Sequence, residues 1–391
     1  MLDHVYRRTQ LQEHDLHPST QMMSYGYDPF MSEGAVKPPV FLTSTFAFRT
    51  AEEGADFFDV VAGRKPAPEG ESAGLVYSRF NHPNLEIVED RLALLDGAEA
   101  AAVTSSGMAA ISAVFLAFLQ PGDVIVHSTP LYGGTETLIR KNLANLGIKA
   151  VPFVDGLDAD DIANALDRAA TLGPVKIFYI EAPANPTNAL IDFAIVQRAL
   201  DTFEQTHGYR PISICDNTML GPIFQRPIEH GINLCIYSLT KYIGGHSDLV
   251  AGGVTGTRDL LQKIRLTRSA FGSQLDPHSS WMIARSMETL FMRMERAAES
   301  GRKVAAWLVS NPHLPARVLH NEHDPNPVSR AVYDRQCTGP GSTFSFVIDG
   351  DRATAFRIVN ALQLFKLAVS LGGTESLVCH PASTTHSGVP T

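Results

Sequence analysis

The stretch "CIYSLTKYIGGHSD", residues 235–248, sets Ser238, Thr240 and Lys241 between an apolar run and a pair of glycines. A lysine placed there is either an ordinary loop residue or an amine that loses its proton readily and forms a Schiff base with a carbonyl, chemistry closed to arginine. Four other segments end apolar runs in a similar way. "EAAAVT" leads into Ser105, Ser106, Gly107 and Met108, which open the helical stretch "AAISAVFLAFL". Small residues at a helix start expose N–H groups that bind an anion with help from the helix dipole, although a serine there can equally be a plain N-cap. "DVIVHS" is followed by "TPLYGGT", so Tyr132 lies in a glycine-bordered loop, where a tyrosine packs, stacks on a flat ring or moves a proton. "KIFYIEAP" leads to "ANPTN" and places Asn185 in a turn. "PISIC" ends in Asp216 and Asn217. A carboxylate closing a buried strand is a turn or capping residue, or else it meets a cation or strong donors.

The elements that must position these residues follow a regular pattern. From Leu85 to about Gly253, short apolar runs ("EAAAVT", "DVIVHS", "KAVPFV", "VKIFYIEAP", "PISICDN", "LCIYS") alternate with helical stretches such as "MAAISAVFLAFL", "GTETLIRKNLANLG" and "DADDIANALDRAA". Strands alternating with helices predict an α/β fold with a mainly parallel sheet covered on both faces. Ligands bind such sheets at the carboxyl ends of the strands. The five loops would then offer an anion cradle, an aromatic face, an amide, a carboxylate and an amine at one edge. Each has an ordinary explanation when taken singly. Together they describe a ligand with a phosphate, a flat ring, a basic ring nitrogen and an aldehyde, which is pyridoxal phosphate. Lys241 would carry it as an imine, and Asp216 would keep the ring nitrogen protonated through a charge-assisted hydrogen bond. Tyr132 would cover the ring, while Ser106, Gly107, Met108, Ser238 and Thr240 would hold the phosphate.

Composition narrows the remaining classes. A chain of 391 residues is expected to form two or three domains. Hydrophobic residues at 44% and charged residues at 19% are ordinary globular values. A formal charge of −9 argues against nucleic-acid or anionic-membrane partners. No run approaches the ~18 apolar residues of a membrane span, and the first twenty residues lack the apolar centre of a secretory signal. Cys215, Cys235, Cys337 and Cys379 are far apart and form no CxxC pair. That spacing indicates a reduced, cytoplasmic setting with neither a disulfide framework nor a zinc site. His246 and Asp248 flank the glycine turn, but no second pair at ligand spacing accompanies them, so no metal is expected.

The first 75 residues read as irregular, with "VKPPVFLTSTFAF" followed by the Pro/Gly/charge-rich "GRKPAPEGESAG". They are expected to form an arm that wraps a partner subunit. Residues 76–257 would be the cofactor-binding α/β domain and 258–391 a smaller C-terminal α+β domain. The latter would contain one long helical region, "WMIARSMETLFMRMERAAESGRKVAAWLVS", then "STFSFVIDG", "DRATAFRIVNALQLF" and "KLAVSLGG".

From about Lys37 onward the chain resembles the Cys/Met-metabolism family of pyridoxal-phosphate enzymes, which includes cystathionine γ-synthase, cystathionine γ- and β-lyases, methionine γ-lyase and homoserine-ester sulfhydrylases. The motifs are "YSRFNHPN", "SSGMAA", "PLYGGT", "EAPANPT", "DNTMLGP", "SLTKYIGGHSD", "AVSLGGTESL" and "HPASTTH". The resemblance implies the fold type I architecture, with a mainly parallel seven-stranded sheet and a smaller C-terminal domain. It implies that Tyr77 and Arg79 reach the cofactor phosphate of a neighbouring subunit, so that the active unit is at least a dimer and the assembly a homotetramer. It also places the covalent attachment on Lys241, the ring-nitrogen partner on Asp216 and the stacking, proton-moving tyrosine on Tyr132. Asn185 and Ser370 would help hold the cofactor oxygen and the substrate carboxylate. The lysine released by the substrate amine would remove the Cα proton and, for γ-chemistry, move a Cβ proton as well.

Two departures from the family pattern bear on the substrate. Methionine γ-lyases commonly carry a cysteine directly after the "LYG" motif, where this chain has Gly134. The segment "NALQLFKLAVSLGGTESL" is nevertheless closer to methionine-type lyases than to β-lyases. The family's carboxylate-binding arginine lies beyond "THS", but no arginine follows Arg357 here, and the expectation is that a last segment is missing. The expected activity is γ-elimination on a γ-substituted L-amino acid such as methionine, cystathionine, homocysteine or canavanine. The alternative is γ-replacement on an acylated homoserine by cysteine or sulfide. A nucleotide-binding reading would want GxGxxG after the first strand, and that pattern is absent in this context.

Overall fold

The computed structural model describes residues 6–66, 74–311 and 317–387. Seven strands form the main sheet: β1 (Ala100–Thr104), β2 (Val124–Ser128), β3 (Lys149–Phe153), β4 (Val175–Glu181), β5 (Ile212–Asp216), β6 (Leu234–Tyr237) and β7 (Gly252–Gly256). Their order is β1-β7-β6-β5-β4-β2-β3. The β2–β3, β2–β4, β4–β5 and β5–β6 pairs are parallel, and β7 pairs antiparallel with β1. Every residue of β2 and β6 is buried, as is all of β4 except Lys176. A parallel sheet covered on both faces requires such unbroken apolar runs.

Six strands lie where the apolar runs predict them, and the seventh does not announce itself. β7 reads "GGVTG", and its glycines answer a steric demand. A Cβ on Gly252 would lie 2.1 Å from the Ser106 carbonyl oxygen, and one on Gly253 would lie 2.6 Å from Leu92. Here the missing side chains are what let the backbones approach.

The chain divides into two compact units. The first comprises Met1–Ala117, Ser238–Gly244 and Asp248–Phe291. In it α1 (Ala51–Val61) is capped by Thr50, whose hydroxyl accepts the Glu53 N–H at 3.1 Å. This helix lies in the segment read as irregular; Thr50 and Glu53 are its start signal. The helix α2 (Pro83–Asp96) begins at a His82 cap with Pro83 in its first turn and stops at the left-handed Gly97. It buries Leu85, Val88, Leu92 and Leu95. Arg91, 1% exposed, donates to the Tyr25 carbonyl at 3.0 Å and the Ala284 carbonyl at 2.9 Å. With the Trp281 indole on the Pro38 carbonyl and Lys37 on Glu288, it ties the N-terminal segment to its own unit. The helix α3 (Gly107–Phe118) starts in this unit, as do α4 (Arg258–Phe271) and α5 (Pro277–Met287). The long helical region expected from the sequence is interrupted: α5 ends at Met287 and α6 (Leu290–Val309) begins after a turn at Glu288 and Thr289.

The second unit comprises Phe118–Tyr237, Gly245–Ser247 and Met292–Thr391. Its core sets Val124, Val126, Phe153, Phe178 and Ile180 of the sheet among Ile162, Leu166, Val196, Leu200 and Phe203. The last five belong to helices Ala159–Ala170 and Phe193–His207. Phe153 and Phe178 stack at 5.4 Å. The C-terminal part carries helices Pro327–Gln336 and Arg352–Ala361 and an antiparallel pair, Arg317–Leu319 with Ser345–Val347. Among the described residues no helix is long and apolar enough to cross a membrane.

Candidate active site

In the first unit the chain emerging from β1 turns at Ser105–Ser106 into α3. The Ser106 hydroxyl accepts the Ala109 N–H at 3.0 Å, so that side chain caps the helix. The first-turn N–H groups of Gly107 and Met108 have no acceptor within the helix, and such helix starts favour anions. Gly107 is needed here: a Cβ would lie 3.0 Å from the Ser238 Cβ and 3.2 Å from its Cα. Gly252 likewise lets the Ser106 carbonyl and the Gly107 Cα come close. Gly107 and Gly252 thus let Ser238 and the Ser106 carbonyl pack closely at this turn, and small residues at a helix start are of the kind that holds a phosphate. Thr240 is tied to Ala251, its hydroxyl accepting the Ala251 N–H at 3.0 Å. One residue on, Lys241 is half-buried, and burial holds its amine below the ordinary lysine range, which favours the neutral, nucleophilic form. Arg79 donates to the Ser269 carbonyl at 2.6 Å and hydroxyl at 3.1 Å, and lies 4.5 Å from the Phe80 ring centre. Tyr77 is 40% exposed.

In the second unit β5 ends at Asp216, 8% exposed. Its carboxyl accepts the Thr218 N–H at 3.1 Å, the Thr218 hydroxyl at 2.6 Å and the Tyr179 hydroxyl at 3.5 Å. All three donors are neutral. Burial holds this carboxyl above the usual carboxylate range, against the pull of those hydrogen bonds. A carboxylate so placed is suited to a buried cation such as a protonated ring nitrogen. Asn217 fixes the turn that follows, its amide donating to Gln225 O at 2.8 Å and to the Tyr237 hydroxyl at 3.1 Å.

Next to Asp216, β4 ends at Glu181, which sequence reasoning missed. Glu181 Oε2 accepts the Tyr132 N–H at 2.7 Å, and Oε1 accepts the Asn185 N–H at 2.8 Å. Burial, then the neighbouring Asp216, pushes this carboxyl up to about 8, against those two hydrogen bonds. The signal was present in "VKIFYIEAP": a charge closing an apolar run, as Asp216 closes "PISIC". Tyr132 is 40% exposed. Ser370 is half-buried in the stretch after the strand Lys366–Leu367. The structure therefore gathers Ser106, Gly107 and Ser238 in one unit, and Tyr132, Asn185 and Asp216 around Glu181 in the other. Arg79 is engaged by Ser269 in its own chain. His246 and Asp248 are exposed, and among the described residues no group of three His, Cys, Asp or Glu side chains is placed to hold a metal ion.

Comparison with known proteins converges on the same chemistry. Residues 19–391 match the profile of the "Cys/Met metabolism PLP-dependent enzyme" family. L-methionine gamma-lyase of Pseudomonas deceptionensis is 38% identical over 372 residues, covering 94% of this chain and 87% of the relative. Cystathionine gamma-lyase of Sus scrofa is 34% identical, covering 96% of this chain and 85% of the relative. The crystal structure of cystathionine gamma synthase from Xanthomonas oryzae pv. oryzae, in complex with aminoacrylate and cysteine, superposes with a TM-score of 0.84 at 30% identity, covering 96% of this chain and 89% of that one. The match to the family profile and the level of identity agree, and the chain belongs to the Cys/Met-metabolism family of pyridoxal-phosphate-dependent enzymes.

Proposed function

We propose that this enzyme is a carbon–heteroatom lyase that performs γ-elimination on a γ-substituted L-amino acid, in the manner of methionine γ-lyase. Asp216 carries the reading: a buried carboxylate served by neutral donors is the partner that a protonated ring nitrogen requires. Bound pyridoxal phosphate supplies the electron sink that makes a carbanion at Cα accessible. The rest is done by residues of the chain. Lys241 would be the covalent attachment point and the base that takes the Cα proton and moves a Cβ proton; its lowered pKa suits both transfers. Gly107 and Met108 N–H groups, with Ser106, Ser238 and Thr240, hold the phosphate. Tyr132 covers the ring and moves a proton near the leaving group. Asn185 and Ser370 orient the substrate carboxylate.

Residues 1–75 are proposed as an arm that brings Tyr77 and Arg79 to the phosphate of a neighbouring copy, residues 76–257 as the cofactor-binding domain and 258–391 as the C-terminal domain. The working assembly is then a cytoplasmic homotetramer built from dimers. The exposed Phe30, Met31, Val36 and Leu42, each 77–81% accessible, give the arm an apolar surface for such a contact. A second reading, γ-replacement by a thiol, is favoured by the likeness to a cystathionine gamma synthase. The cofactor assignment is tested by absorption. Reconstituted wild type is expected to show a visible band that Lys241→Ala abolishes, with activity down about 10²- to 10⁴-fold through loss of the base; a colourless wild type would overturn it.

A further inference from the structure

We propose that Glu181 is a positioning residue: its carboxyl group joins the backbone N–H groups of Tyr132 and Asn185 and holds the ring-covering loop and the substrate-binding loop in one arrangement. This rests on the roles given above to Tyr132 and Asn185. Glu181 closes β4 and is 4% exposed. Each of its oxygens takes a different donor, Oε2 that of Tyr132 at 2.7 Å and Oε1 that of Asn185 at 2.8 Å. Its own N–H donates to the hydroxyl of Ser128, the last residue of β2, at 3.1 Å. One residue therefore ties a strand end, through its backbone, and two loops, through its side chain.

The chemistry demands a carboxyl group. Two converging N–H donors need two acceptor oxygens, which both the ionised and the protonated carboxyl supply. Glutamine of the same size has one oxygen, and its amine would face the second N–H. Packing alone would favour glutamine or methionine, because a second buried carboxyl beside Asp216 is destabilising. Burial and the Asp216 charge raise its pKa, the mark of a group kept against that cost. The same loops are also held from the C-terminal segment. A Cβ on Gly133 would lie 2.2 Å from the Thr385 carbonyl oxygen, and the His386 ring lies beside the backbone carbonyls of Asn185 and Leu131. The loop carrying Tyr132 is thus clasped on two sides, with Glu181 as its polar anchor.

Glu181→Gln keeps the volume and removes one acceptor. In the cofactor-free protein, amide hydrogen exchange followed by mass spectrometry over peptides covering 129–137 and 183–188 is expected to accelerate roughly 10- to 100-fold at one or both amides. Exchange elsewhere should stay unchanged. In the holoenzyme, the variant is expected to lower kcat and raise KM, with kcat/KM down roughly 10- to 100-fold. Its loss combined with Tyr132→Phe should be smaller than the product of the single losses. If Glu181→Gln does not fold, Glu181→Asp, one methylene shorter, is read by the same exchange measurement. Unchanged exchange at both amides, or multiplicative losses in the double variant, would overturn the assignment. Accelerated exchange in an enzyme that eliminates no γ-substituted amino acid would instead sink the γ-lyase reading and leave the anchor standing.

Discussion

Glu181 and Asp216 are register partners at the carboxyl ends of adjacent parallel strands, and both carboxyl groups are buried. Each is held above its ordinary range, first by burial, and Glu181 also by the charge of Asp216. Their hydrogen bonds separate their tasks. Glu181 faces two backbone N–H groups and anchors loops. Asp216 is steadied by Thr218 and is the residue proposed to meet the ring nitrogen.

The pair gives the cofactor-free protein a pH dependence of definite sign. Glu181 titrates at about 8 when folded and at roughly 4.3 when unfolded, so between those values the folded state holds a proton that the unfolded state has lost. Stability from this group is complete below the lower value and is lost as pH rises through the upper one. Urea denaturation from pH 5 to pH 8 should show stability falling with pH, less steeply in Glu181→Gln. Equal slopes for the two proteins would show that Glu181 does not titrate in this window.

Asp216→Asn should separate stability from catalysis. Replacing a buried acid beside another is expected to leave the cofactor-free protein as stable or more stable. Losing the charge-assisted partner of the ring nitrogen should cost the loaded enzyme about 10- to 100-fold in kcat. Thermal denaturation and steady-state kinetics check the two halves, and an unchanged kcat would remove Asp216 from its assigned role.

Gly252→Ala tests the cradle from outside it. The added Cβ would lie 2.1 Å from Ser106 O and 2.8 Å from Gly107 Cα, so the Ser106–Gly107 turn must move. A stability cost of about 1–3 kcal/mol is expected, with weakened cofactor affinity measured by titration of the cofactor-free protein. Wild-type affinity in the variant would mean that this turn does not hold the phosphate.

Much of this was legible in the sequence, for reasons that particular residues make plain. The runs "VIVHS" and "LCIY" are buried throughout, and strands buried on both faces show as unbroken apolar runs. β7 carries too few side chains to make such a pattern, because Gly252 and Gly253 are there to admit neighbouring groups. Asp216 was legible as a charge ending an apolar run. Glu181 sends the same signal but sits inside the longer "VKIFYIEAP", where it reads as part of a strand margin. Thr50 and Glu53 mark the start of α1, yet the Pro- and Gly-rich residues on either side obscured it. Contacts such as Arg91 with Ala284 O, 193 residues apart, or Thr385 with Gly133, obey no local period and only the folded chain reveals them.

The most direct test of γ-elimination is the release of 2-oxo acid and ammonia by the reconstituted enzyme, measured across methionine, cystathionine, canavanine and O-acetylhomoserine, with and without cysteine or sulfide. Elimination products from at least one of these substrates with no thiol present are the expected result. Products that form only when the thiol is supplied would contradict the lyase assignment and establish γ-replacement in its place.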